Sequence, residues 1–182
     1  MKLGRLIART AIGGLFIGHG TQKWFGWFEG PGLEGTSKWM ESIDMRPGRR
    51  NALAASASET IGGAMLVAGA LTPLAAASLI ATMITAVRKV HLENGLWSSK
   101  GGYEYNLALI AAILALVDGG PGEISIDGRL GIHDTGGAWA LAALAAGAVG
   151  STLAIEAGRA APAAAPAPVA PASETEAERT PA

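Results

Sequence analysis

The chain has 182 residues, 49% of them hydrophobic and 16% charged, with a net charge of −1 and a mean hydropathy of +0.31. Ordinary soluble domains carry about 25% charged residues, so the balance favours a membrane protein over a globular enzyme. A near-neutral charge gives no footprint for nucleic acid, and the absence of cysteine excludes disulfides, thiolate-bound metals and thiol exchange on this polypeptide.

In chain order, Lys2, Arg5 and Arg9 precede an apolar run that resembles a signal peptide. No small-residue cleavage site follows it, so a first span over Leu3–Gly20 is the better reading, with Arg5 and Arg9 snorkelling or facing protein. The run ends in Trp24, Phe25, Trp27 and Phe28, the kind of aromatic group that collects at an aqueous interface, and Gly30-Pro31-Gly32 then stops any helix. Thr36–Met45 fits either an interfacial amphipathic helix with Trp39, Met40 and Ile43 inward or an exposed loop helix.

From Ala52 to Val90 the apolar pattern is about twice as long as a bilayer needs and is broken at Leu71-Thr72-Pro73, which predicts a helical hairpin. Gly62, Gly63 and Gly69 in its first arm and Ala75–Ala77 in its second are small enough for close approach. Tyr103–Val117 forms a fourth span, closed by Gly119-Gly120-Pro121-Gly122. The run Ala138–Ile155 is uncharged and long enough for a fifth crossing. The expected organisation is all-α: an up-and-down four-helix membrane bundle over residues 1–130, an additional apolar helix over 131–157, and a disordered Ala/Pro-rich tail over 158–182.

Alternating crossings bring the end of span one, the start of span two, the end of span three and the start of span four to one membrane face. His19 and Lys23, Glu59, His91 and Glu104 occupy those positions, and Trp24, Trp27 and Tyr103 are expected to wall the pocket they form. The opposite end is expected to offer only the Thr72-Pro73 and Asp118–Gly122 breakers, and His133 falls there as a loop residue. An acid inside a span, such as Glu59, costs several kcal/mol or about that unless paired or protonated, so it reads as functional or as half of a structural ion pair. Two His and two Glu suit a nitrogen/oxygen metal site or a proton-relay or quinone pocket; no H-x-x-x-H or E-x-x-H pair supports the metal, and none is assigned. Catalytic residues are not identifiable.

Six blocks of the chain resemble the DoxX family of small bacterial membrane proteins. They are H-G-T-Q-K-W-F-G-W-F-E-G-P-G-L from His19, E-T-I-G-G from Glu59, G-A-L-T-P-L-A-A from Gly69, H-L-E-N-G-L-W from His91, G-G-Y-E-Y-N-L from Gly101 and G-P-G-E-I-S-I-D from Gly120. The resemblance implies a four-helix membrane protein of the plasma membrane in a redox complex, with relatives named for the membrane subunit of a thiosulfate:quinone oxidoreductase. It further implies a quinone as a candidate cofactor and soluble partners such as a superoxide dismutase and a sulfurtransferase, active in oxidative and thiol stress. Without cysteine, any sulfur chemistry falls to a partner, leaving this chain as anchor, scaffold or quinone site. A non-catalytic scaffold with the polar cluster serving helix packing is the second reading; a small-solute or ion transporter is a third, and lacks the inverted repeat most carriers show.

Orientation stays open on sequence. Lys23, Lys38, Arg46, Arg49 and Arg50 in the first loop, with Arg88, Lys89 and Lys100 in the third, favour a cytoplasmic cluster, whereas Lys2, Arg5 and Arg9 on the first span argue the reverse.

Overall fold

The computed structural model describes residues 3–160, which form seven α-helices and, among the described residues, no strand. They are α1 (Leu3–Phe25), α2 (Gly32–Ser42), α3 (Gly48–Ala68), α4 (Thr72–Ala86), α5 (Glu104–Gly119), α6 (Ile126–Leu130) and α7 (Gly137–Ala160). The expected tail from residue 158 begins as the last turn of α7, and its remainder lies outside the described residues.

Helix α1 runs one turn past the expected Gly20, to Phe25, and stops because Gly26 takes a left-handed conformation, φ 74°. The hairpin break falls where Leu71-Thr72-Pro73 predicts it. Gly69 ends α3 in the left-handed region, φ 63°, which only glycine adopts without strain, and Pro73 stands in the first turn of α4, where its missing N–H costs nothing.

Helix α1 packs along α3, α3 pairs with α4, and α4 packs against both α5 and α7, which also touch each other. Backbones touch between α1 and α3: a Cβ placed on Gly13 would lie 2.6 Å from the Gly63 carbonyl oxygen, and one on Gly63 would lie 2.6 Å from that of Gly13. Gly63 therefore faces α1, not α4 as the hairpin reading expects, and Gly62 alone turns to Leu79 and Ser78 of α4. On the other side Gly147 of α7 admits Ile80 of α4. The main core, Phe16, Leu66, Leu79, Ile80, Ile113 and Val117, is buried among these helices. Helix α7 belongs to this packing, its Ala140 and Ala143 joining the same core.

The end opposite the expected polar cluster is more polar than the sequence suggests. Arg9 is 3% exposed. Its guanidinium donates to the carbonyls of Val67, Pro121 and Ile124, the last at 2.6 Å. Asp127, equally buried, accepts from the backbone N–H of Leu71 and Thr72 at 2.8 and 2.9 Å and from the Thr72 hydroxyl at 2.7 Å, capping the start of α4. Arg9 thus faces protein, and the Pro121–Asp127 segment is a polar latch across α1, α3 and α4 rather than a simple breaker. Arg5 adds contacts to the Gly119 and Gly120 carbonyls.

Candidate functional site

The α1–α3 glycine contact sets the site. Gly20 of α1 lies over Ser56 and Thr60 of α3, and Lys23 follows Gly20 by three residues, on the same helix face. That face presents the Lys23 ammonium to Glu59, and Nζ of Lys23 forms an ion pair with Oε2 of Glu59. The Glu59 side chain is 3% exposed and that of Lys23 is 24%. A carboxylate so buried is costly to hold as an anion unless a cation answers it, and Lys23 does so while its stem covers apolar surface.

The pair stands in the wall between two cavities. One, of about 450 Å³, lies among α1, α4 and α5 and is lined by Phe16, His19, Met83, His91, Tyr105 and Asn106. The other, of about 220 Å³, lies among α2, α3, α4 and α7, with Met40, Ala55, Ser58, Thr82, Thr85 and Lys89 in its lining. Lys23, Trp39, Glu59, Ala86 and Val90 line both. The hydroxyls of Ser58, Ser78 and Thr82 satisfy one another along the α3–α4 seam beside the smaller cavity, at 2.7 and 2.9 Å from Ser58.

The end of α4 widens into a π-helical turn over Val87–His91, a local departure frequent at functional sites. This turn brings Val90 and His91 to the larger cavity and Lys89 to the smaller. His91 Nδ1 lies 2.8 Å from the Gly101 carbonyl oxygen. A carbonyl only accepts, so Nδ1 donates, and in the neutral ring Nε2 is left as the acceptor nitrogen.

Of the residues singled out in sequence, His19, Lys23, Glu59 and His91 line the larger cavity. Glu104 does not line it; it opens α5, its backbone N–H donating to the Leu96 carbonyl at 2.8 Å, and Tyr103 precedes it outside the lining. Their neighbours Tyr105 and Asn106 take the places expected of them. Trp24 and Trp27 are also outside the lining. Trp24 stacks on Phe25 with ring centroids 5.1 Å apart, and Phe25, Trp27 and Phe28 continue as an exposed aromatic ladder. Trp39 of α2 is the indole that walls both cavities, although its ring is partly exposed. Sequence reasoning passed over Asn106 and Met83. Asn106 carried one signal, a carboxamide inside the apolar run Tyr103–Val117.

Among the described residues no group of three or more His, Asp or Glu side chains is placed to hold a metal ion. Helices Thr72–Asn94, which includes α4 and its continuation, and Gly137–Ala160 are long and apolar enough to cross a bilayer.

The model of the DoxX family matches residues 4–92, which span α1 through the end of α4 and so include His19, Lys23, Glu59 and His91. An uncharacterized protein of Haemophilus influenzae is 29% identical over 124 residues, covering 67% of this chain and 80% of that protein. No solved structure matches the chain. Residues 4–92, with their α1–α3 contact and the Lys23–Glu59 pair at its end, are a domain of the DoxX family.

Proposed function

We propose that this protein is a multi-pass subunit of a redox complex in the bacterial plasma membrane, holding a lipid-soluble ring compound of the quinone class in the cavity among α1, α4 and α5. In this reading α1, α3, α4 and α5 form an up-and-down four-helix bundle across the bilayer and α7 is a fifth crossing. The observation that carries it is the Lys23–Glu59 ion pair in the wall shared by two largely apolar cavities. A bundle needing only packing at this point is served as well by apolar side chains, since replacing a buried ion pair with well-packed hydrophobes is often neutral or stabilising.

The residues fit an uncharged, oxygen-bearing ring. Phe16, Met83 and Leu109 offer apolar surface, Lys23 and His19 offer N–H donors, and His91 Nε2 and Glu59 accept protons. A quinone would supply two-electron, two-proton chemistry here. The chain's own part is to exclude water around the ring, hold the ligand's oxygens by hydrogen bonds and pass protons between Glu59, His91 and the bundle end. Lacking cysteine, the chain leaves thiol chemistry to a soluble partner.

The test is purification of the full chain from native membranes in mild detergent, with mass spectrometry of bound lipid, quinone and protein. A retained quinone that Glu59→Gln or His91→Ala releases supports the reading. Variants that accumulate and retain the same molecules as the wild type overturn it. The scaffold reading draws on the completeness of the Lys23–Glu59 pair itself, and the same variants then lose accumulation or thermal stability with no ligand involved.

A further inference from the structure

Asn106 sits on α5 and is 6% exposed, inside a wall made by Phe16, Met83 and Leu109, themselves 1%, 8% and 9% exposed. Its side-chain N–H donates to the sulfur of Met83 at 3.4 Å. A thioether is a weak acceptor, and among the described residues the carboxamide oxygen accepts no hydrogen bond. Among the described residues the buried side-chain atom without a partner is Thr60 Oγ1, so the Asn106 oxygen keeps access to the cavity it lines and is free to meet a ligand there. The Met83 contact does join α5 to α4, but a thioether is a weak partner, and the hydroxyls of α4 are engaged elsewhere, Thr82 with Ser58 and Thr85 with Ser151 and the Ala81 carbonyl.

We propose that Asn106 is a ligand-binding residue, the polar end of a subsite for an uncharged aromatic compound bearing ring oxygens. This rests on the reading of the cavity as a ring-compound site and identifies which residue reads the ligand's oxygen. A carboxamide carries both a donor and an acceptor, so the one side chain meets a carbonyl by donating and a ring hydroxyl by accepting, without changing its own protonation. That property suits a ligand exchanging between those two forms, which a lysine or a carboxylate meets only in one. The ligand is uncharged because the charges in the shared wall, Lys23 and Glu59, already neutralise each other. It is aromatic because Phe16, Trp39 and Tyr105 come to the cavity from three different helices and Met83 adds a polarisable sulfur, surfaces that favour a π face. About 450 Å³ lies in the range of small-molecule sites.

The experiment uses the full chain in lipid nanodiscs and follows tryptophan fluorescence while titrating two probes of one shape, 2-methyl-1,4-naphthoquinone and 2-methylnaphthalene. The wild type binds the first saturably and more tightly than the second. Asn106→Leu weakens the oxygenated probe by about tenfold, the value of one buried hydrogen bond, and leaves the hydrocarbon unchanged or tighter. Asn106→Ala shows the same selective loss. If either variant binds both probes as the wild type does, the Asn106 assignment is overturned while the cavity reading stands. Absence of saturable binding to the wild type overturns both. If neither variant accumulates as a folded protein, the amide belongs to packing and the assignment is again overturned.

Discussion

The ammonium of Lys23 on α1 and the carboxylate of Glu59 on α3 meet where two cavities share a wall. The contact at Gly13 and Gly63 and the crossing at Gly20 bring the backbones together, and the ion pair lies at the end of that contact.

Breaking this pair separates stability from function. Glu59→Gln leaves a cation with a quarter of its side chain exposed and no counter-charge, and is expected to destabilise by about 3 kcal/mol, the lower part of the range for a broken buried pair. The double variant Lys23→Met/Glu59→Leu removes both charges and recovers most of that loss. Thermal unfolding in detergent measures the first effect, and retention of bound small molecules measures the second. A double variant that is stable but empty places the pair in binding; one that keeps its ligands places it in packing.

The glycine contact makes a contrast between packed and open glycines. Gly13→Ala and Gly63→Ala each force a methyl to 2.6 Å from an opposing carbonyl oxygen, so the helices must separate, and a loss of several kcal/mol or about that in folding stability follows. Gly14 and Gly18 have nothing within 4 Å of the added methyl. Gly14→Ala and Gly18→Ala are therefore neutral or stabilising by up to about 1 kcal/mol through helix propensity. Thermal midpoints of the four variants check both halves, and equal effects at all four positions would falsify the contact.

At the other end the latch predicts local loosening. Asp127→Asn keeps the shape but weakens the charge-assisted bonds that cap α4, at a cost of about 1–3 kcal/mol. Arg9→Met frees the carbonyls of Pro121 and Ile124. Arg9→Lys restores the charge but not the three-pronged geometry and rescues only in part. Amide hydrogen exchange over residues 119–132 is expected to speed up in each variant while α3 exchange changes less. Uniform acceleration throughout the chain is the contrary result.

Topology can be read with introduced cysteines, since the native chain has none. The Arg46 N–H donates to the Gly158 carbonyl, and Arg50 reaches the Ala157 carbonyl, so the end of α7 and the α2–α3 connection lie at the same end of the molecule. Lys38→Cys and Ala160→Cys should therefore react with an impermeant thiol reagent from the same side of the membrane, and Leu130→Cys from the other. Labelling of Ala160→Cys together with Leu130→Cys would mean that α7 does not cross.

The helices were legible in the sequence because their ends are chemical. Gly30-Pro31-Gly32, Leu71-Thr72-Pro73 and Gly119–Gly122 interrupt apolar runs, and those interruptions hold irrespective of what packs where. The gathering of His19, Lys23, Glu59 and His91 follows from alternation of direction along the chain, and the resemblance to the DoxX family could be seen in the same residues. What escaped was the rotation of each helix about its own axis. The sequence points to Tyr103 and Glu104, whereas Tyr105 and Asn106, one or two residues on and so on another face at about 100° per residue, line the cavity. The indole at the site is Trp39 of α2, and not Trp24 or Trp27, because α2 folds back over the shared wall, a placement that only packing decides.

Composition and breakers alone settled that the chain is helical and suited to lipid, and where the long apolar helices are interrupted, to within about a turn or two at their ends. Which residues face inward was decided only when the helices packed. Where both the outer and the inner face of a helix are apolar or small, as along α3 with its Ala, Ser and Gly, the amphipathic period that marks an inner face in a water-soluble helix is nearly absent. The rotation is then set by steric contact between particular atoms, Gly13 against Gly63 and Arg9 beneath Gly69, and such contacts exist only between segments distant in the chain.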